Sequence, residues 1–205
     1  MRALAFLLAV LLAGCASSPD ASYVKDSDTR IQRNGFSLLP PSGKGWMTAP
    51  SGQYGARWGK VLSDSKGNRS TVAVMVWSGR FTERKVDLTT PQGLRDTVIY
   101  QVTGGSDRYP VRQAKYSDVY RKFGTDCIDA DYVAEDRANT MSWNAGVVLL
   151  LHVQMTLCRH PSNPEWGFNT SLSDRHPEDS LSLMDDVVQQ EARRCLDSIE
   201  LTPLS

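Results

Sequence analysis

The sequence predicts an α+β protein, an antiparallel sheet of about six or seven strands with a central helix and a C-terminal helix packed on one face. Three observations carry this. Residues 35–136 are mostly short alternating stretches punctuated by turn residues. Apolar residues recur at helical spacing only after Thr90 and again from Leu181. The most apolar stretch, residues 146–158, pairs residue for residue with residues 125–136 about a single turn.

Residues 35–39 form a first strand, ended by the turn-rich Pro40-Pro41-Ser42-Gly43-Lys44-Gly45-Trp46. Residues 54–64 and 69–78 flank Ser65-Lys66-Gly67-Asn68, a hairpin signal. Pairing about that turn sets Trp58 opposite Met75 and Val61 opposite Val72. Thr90 is placed to cap a helix whose first residue is Pro91, Leu94, Val98 and Val102 form its apolar stripe, and Gly104-Gly105 stops it. Two extended stretches follow, residues 112–122 and 125–136, broken at Gly124. Residues 139–144 turn the chain into the strand of 146–158, and residues 165–173 give another strand. Leu181, Met184, Val188, Ala192, Cys195 and Ile199 then share one face of the C-terminal helix.

The pairing of residues 125–136 with 146–158 is the most constrained of these expectations. A turn centred near Met141-Ser142 pairs residues whose numbers sum to about 285. Ile128, Ala130, Tyr132 and Ala134 then face Leu157, Met155, Val153 and Leu151 on a wholly apolar side. Cys127, Asp129 and Asp131 face Cys158, Thr156 and Gln154 on the other. A slip of one residue destroys both agreements. The register brings Cys127 against Cys158, and a bridge there closes a loop worth ~3.5 kcal/mol in the chain-entropy model. Cys195 is then a small reduced core residue; the rival pairing is Cys158 with Cys195.

At the N-terminus, Arg2 opens an apolar run that ends in Leu12-Ala13-Gly14-Cys15, the layout of an export signal and too short to span a bilayer as a helix. The tetrapeptide resembles the lipobox of bacterial lipoproteins. That resemblance implies diacylglyceryl transfer to the Cys15 thiol and cleavage after Gly14, and Ala16, where many inner-membrane lipoproteins carry aspartate, points to a lipid anchor in the outer membrane. It also removes Cys15 from the disulfide count, while export puts the other three cysteines where disulfides persist. The expected organisation is a signal peptide over residues 1–14, lipidated Cys15 and a flexible tether to residue 33, then a single α+β domain over 34–205. As a coil the tether reaches ~23 Å.

Lys and Arg total 23, and Asp and Glu also 23. Loss of Arg2 with the signal leaves a mature charge near minus one, so no basic excess exists for nucleic acid. No nucleophile elbow, phosphate-binding glycine loop, His-Glu-x-x-His or Cys-x-x-Cys is present, and no cofactor or enzymatic activity is expected. Arg159-His160-Pro161 and Arg175-His176-Pro177 repeat a tripeptide, but the strand between them spans ~28 Å and forbids a shared metal ion. His152 falls on the polar side near Asp131 and Gln154, and with Asp129 or Asp131 it offers a pairing from which a hydrolase could be built. Two sequons, at Asn68 and Asn169, are short enough to arise by chance. Trp58 and Trp77 sit on strands and suit packing, whereas Trp46, Trp143 and Trp166 fall near turns. With Arg159 and His160 they form the expected contact surface.

The 35–39 strand followed by Gly45-Trp46, the central helix, and a last helix ending Cys195-Leu196-Asp197-Ser198-Ile199 are similar to the PsbP/Mog1-like fold. That resemblance is topological and implies a binding or accessory module without residue roles. The expected function is a membrane-anchored, non-enzymatic envelope lipoprotein with an envelope protein as partner. The alternatives are an immunity lipoprotein neutralising a toxin, and an envelope hydrolase.

Overall fold

The computed structural model of the chain describes residues 22–81, 87–104, 109–137 and 147–205. The lipobox, the turn at Met141-Ser142 and Trp143 lie outside them. The first strands are β1 (Ser22–Tyr23), β2 (Ile31–Arg33), β3 (Phe36–Leu38) and β4 (Met47–Ala49). Two of these strands, β1 and β2, fall within residues 15–33, the range expected for the tether. Polar residues there are used both locally and at long range: the Asp26 carboxylate accepts from the backbone N–H groups of Asp28 and Thr29, and Arg30 donates to Ser198 O at 2.8 Å. The turn so formed lets Val24 and Ile31 pack against the core.

β5 (Gly55–Ser63) and β6 (Arg69–Arg80) form the expected hairpin, shifted by one residue. Trp58 pairs with Val74 and Val61 with Thr71. The reason lies in the turn. Asp64 pairs with Asn68 through a backbone bond, its carboxylate accepts from Lys66 N and Asn68 N at 2.9 Å each, and Gly67 takes a φ of +85°. Three residues loop out, not four, the arrangement in which glycine supplies the left-handed position. The shift carries Trp58 and Val74 into the core and leaves Met75 on the opposite side.

Thr90 accepts a hydrogen bond from Gly93 N at 3.0 Å and opens α1 (Pro91–Thr103), which buries Leu94, Val98 and Val102. β7 (Val111–Tyr116) and β8 (Tyr120–Lys122) divide what reads in sequence as one stretch; both pair with β9 (Thr125–Asp136). β9 pairs with β10 (Leu149–Arg159), and β10 with β11 (Trp166–Pro177). The chain ends in α2 (Asp186–Asp197) and β12 (Glu200–Leu201). Asp185 caps α2 by accepting from Val188 N at 2.9 Å. Leu181 therefore precedes the helix and is exposed, and Ile199 follows it.

The β9–β10 register is the one expected, with Cys127 opposite Cys158 and Ile128 opposite Leu157. The two cysteines form a disulfide, and Cys195 is a buried free thiol. Burial pushes that thiol's pKa up, against a small opposing effect of Arg194.

The architecture is α+β, as the element order indicates. The main sheet has nine strands in the order β1-β4-β5-β6-β11-β10-β9-β7 with β8 also on β9, and a three-stranded sheet runs β12-β3-β2. It is wider than the expected six or seven because strands of two or three residues are too short to carry an alternating pattern. The helices also take opposite faces. α1 packs with Ile128, Ala130, Val153, Met155 and Leu157. α2 and the small sheet pack with Cys127, Cys158, Phe168, Leu172 and the even-numbered valines of β6. Both sides of the central hairpin hold apolar residues, and each helix covers one of them. Among the described residues no helix is long and apolar enough to cross a membrane.

Candidate functional site

The polar side of the β9–β10 hairpin does not lie flat against solvent, because α2 crosses over it. Between them is a cleft of about 310 Å³. Asp129 and Asp131 reach it from β9 and Gln154 and Thr156 from β10, since residues two apart on a strand share a face. Arg193 and Asp197 enter from α2, and Lys122 from β8.

Asp129 is already committed. One of its oxygens accepts from the Thr156 hydroxyl at 2.6 Å and from the Tyr120 hydroxyl at 2.8 Å. Desolvation first, and then this bond to a carboxylate, raise the Tyr120 pKa well above the usual phenol range. Tyr120 is therefore a fixed proton donor near neutral pH, and it holds Asp129 as an acceptor. Arg193 donates to Gln154 Oε1 at 3.0 Å, which ties the helix to the hairpin across the cleft. The arrangement offers charges of both signs and several hydrogen-bonding groups around one concavity, a chemistry suited to holding a polar or zwitterionic surface.

His152 does not line this cleft. Its ring stacks on His176 with centroids 5.3 Å apart, and its cross-strand neighbours are Val133 and Asp174. The pairing of His152 with Asp129 or Asp131 that a hydrolase would need is not formed. Among the described residues no group of three or more His, Cys, Asp or Glu side chains is placed to hold a metal ion.

Of the residues expected to form a contact surface, Trp143 lies outside the described residues, and two of the other four are buried. Trp46 is 1% exposed; its ring N–H donates to Glu191 Oε2 at 2.9 Å, and Lys60 bonds the same oxygen at 2.6 Å. His160 is likewise 1% exposed. Its Nδ1 accepts from Ser162 N at 3.2 Å, so its Nε2 carries the proton given to Gly35 O at 2.9 Å. Arg159 lies 3.6 Å from the Asp126 carboxylate. Trp166 is half-buried against Tyr54, with ring centroids 5.7 Å apart. Of the two sequon asparagines, Asn169 is buried and donates to Gln101. The cleft residues Thr156, Gln154, Asp129 and Asp131 were readable as one polar face; the contributions of Lys122, Arg193 and Asp197 were not, because nothing local says that α2 lies over that face.

No family model matches the chain, and no curated protein matches it. Among solved structures it is similar to the cyanobacterial PsbP (CyanoP) of Synechocystis sp. PCC 6803, at 15% identity over 93% of this chain and 99% of that one, with a TM-score of 0.42. It is also similar to LpqN, involved in cell envelope biogenesis of Mycobacterium tuberculosis, at 13% identity over 85% and 90% of the two chains, with a TM-score of 0.39. Neither likeness assigns a role to any residue here.

Proposed function

We propose that the chain is a lipid-anchored lipoprotein of a bacterial envelope whose folded region is a non-enzymatic accessory module that binds another envelope protein. Acylated Cys15 anchors it, with Ala16 directing it to the outer membrane, and a short tether precedes one α+β domain. The observation that carries the binding role is the mixed-charge cleft between α2 and the central hairpin. Its best-placed carboxylate, Asp129, is spent on Tyr120 and Thr156, which supports recognition over proton transfer. An envelope protein with an exposed polar segment carrying both charges fits this concavity.

The test is a photo-crosslinking residue at the exposed Gln154 of the intact lipoprotein in cells. A discrete protein adduct is expected, absent from a lipid-anchored control and lost with Arg193→Glu or Asp131→Lys. Nothing above the control, or an adduct indifferent to both charge reversals, refutes the cleft as the binding site.

A further inference from the structure

On the side of the main sheet that carries α1, coverage stops partway across. A helix is ~10 Å wide and strands lie ~4.8 Å apart, so one helix covers about two strands. α1 covers β9 and β10. The cross-strand row Tyr23, Met47, Gly59, Ala73, Ser173, Val153 runs from the open edge to the covered core on this one side. Among the described residues its outer half has no element above it: Tyr23 is 65% exposed, and Val61 and Met75, on the same side, are 45% and 40% exposed. Because Gly59, Ala73 and Ser173 are small, this half is a trough of about 300 Å³ between larger apolar side chains.

The trough is electrostatically one-sided. Its lining includes Arg57 and Arg175 and no carboxylate. Arg175 is held at 3.2 Å by Asp136, whereas Arg57 is exposed and makes no ion pair among the described residues. β1 is the edge strand of this same half, and Cys15 lies seven residues before Ser22, a span of at most ~25 Å. An apolar floor, an exposed arginine with no ion pair among the described residues and a short leash at the adjoining edge together match the boundary between anionic headgroups and acyl chains.

We propose that this open half of the sheet seats on an anionic bilayer surface, with Tyr23, Val61 and Met75 at the level of the headgroups and Arg57 on their phosphates. The inference rests on acylation of Cys15. It makes the lipid anchor one of two contacts and fixes which way the protein faces: the trough lies on the membrane, and the cleft under α2, on the opposite face of the sheet, points away from it toward a partner.

The acylated full-length protein carrying Val61→Cys or Val187→Cys, each labelled with an environment-sensitive fluorophore, is reconstituted into phosphatidylcholine vesicles with and without phosphatidylglycerol. Val187 is 62% exposed and lies on α2, across the sheet from the trough. The expected result is a severalfold lower iodide quenching constant at position 61 than at 187 in the vesicles containing phosphatidylglycerol, reversed by Arg57→Glu. Equal quenching at the two positions overturns the proposal, as does shielding of position 61 only when other envelope proteins are added. Mass analysis of the Cys15 peptide separates the two readings: an unmodified Cys15 removes the anchor, whereas an acylated chain with an unshielded position 61 removes only the docking.

Discussion

Reducing the Cys127–Cys158 bridge is the sharpest test of how this sheet is held. The cysteines are separated by 31 residues in the chain, and both are fully buried on the α2 side. Closing a loop of that length lowers the entropy of the unfolded chain by an amount worth ~3.5 kcal/mol at 25 °C. Since 1.4 kcal/mol is tenfold, the folded-to-unfolded ratio should fall a few hundredfold, and the Tm by about 10 °C for a chain of this size. Guanidinium unfolding of the oxidised and the thiol-reduced protein, followed by tryptophan fluorescence, measures the difference. The reduced protein should also show a steeper denaturant dependence, because its unfolded state is free to expand. Reduced wild type is the cleaner comparison, as Cys127→Ala with Cys158→Ala also removes two buried sulfurs from the core. A loss below ~1 kcal/mol would refute the reasoning, showing that the unfolded chain already holds β9 near β10.

Two further outcomes follow from buried groups. The Cys195 thiol has a raised pKa in the folded state, so above the unfolded thiol's ~8.5 the unfolded chain loses a proton that the folded one keeps. Its contribution is therefore whole at neutral pH and declines as pH rises, by at most ~1.4 kcal/mol per pH unit; comparing urea midpoints of the wild type and Cys195→Ala from pH 7 to 10 should show the wild type falling more steeply, and parallel curves would contradict the burial. Lys60 and Glu191, whose side chains are 13% and 15% exposed, meet at 2.6 Å beneath Trp46. Glu191→Leu strands the Lys60 charge and should cost on the order of 3 kcal/mol, while adding Lys60→Met should recover part of that loss; strictly additive losses in the double-mutant cycle would deny the pair any coupling.

What could be read in advance follows the range of the interaction involved. Thr90 and Pro91 start α1 through contacts three residues away, and the β9–β10 register was legible because the cysteines and the apolar residues independently demand it. The β5–β6 register slipped by one because Asp64 gathers the backbone of Lys66 and Asn68 into a three-residue loop, a choice the residue types alone leave open. Trp46 and His160 stand among prolines and glycines, where side chains are usually exposed. Their partners, Glu191 and Gly35, are 145 and 125 residues distant, and only the closed tertiary structure reveals that both are core. Placement of the helices failed for the same reason: an apolar stripe shows that a helix is covered, not which side of a sheet covers it.

One register decides both the core and the cleft. With Cys127 opposite Cys158, the α2 side of the hairpin is apolar at the disulfide end and polar toward Asp131 and Gln154. A one-residue slip in β9 alone would turn Asp129 and Asp131 beneath α1, burying two carboxylates among Leu94, Val98 and Leu157 at a cost of several kcal/mol each. The polar residues of the cleft thus act against mispairing as well as toward a ligand. Asp129→Ala should for that reason weaken the choice of register in addition to emptying the hydrogen bonds of Tyr120 and Thr156, two effects that charge reversal at Arg193, on the far wall, leaves untouched.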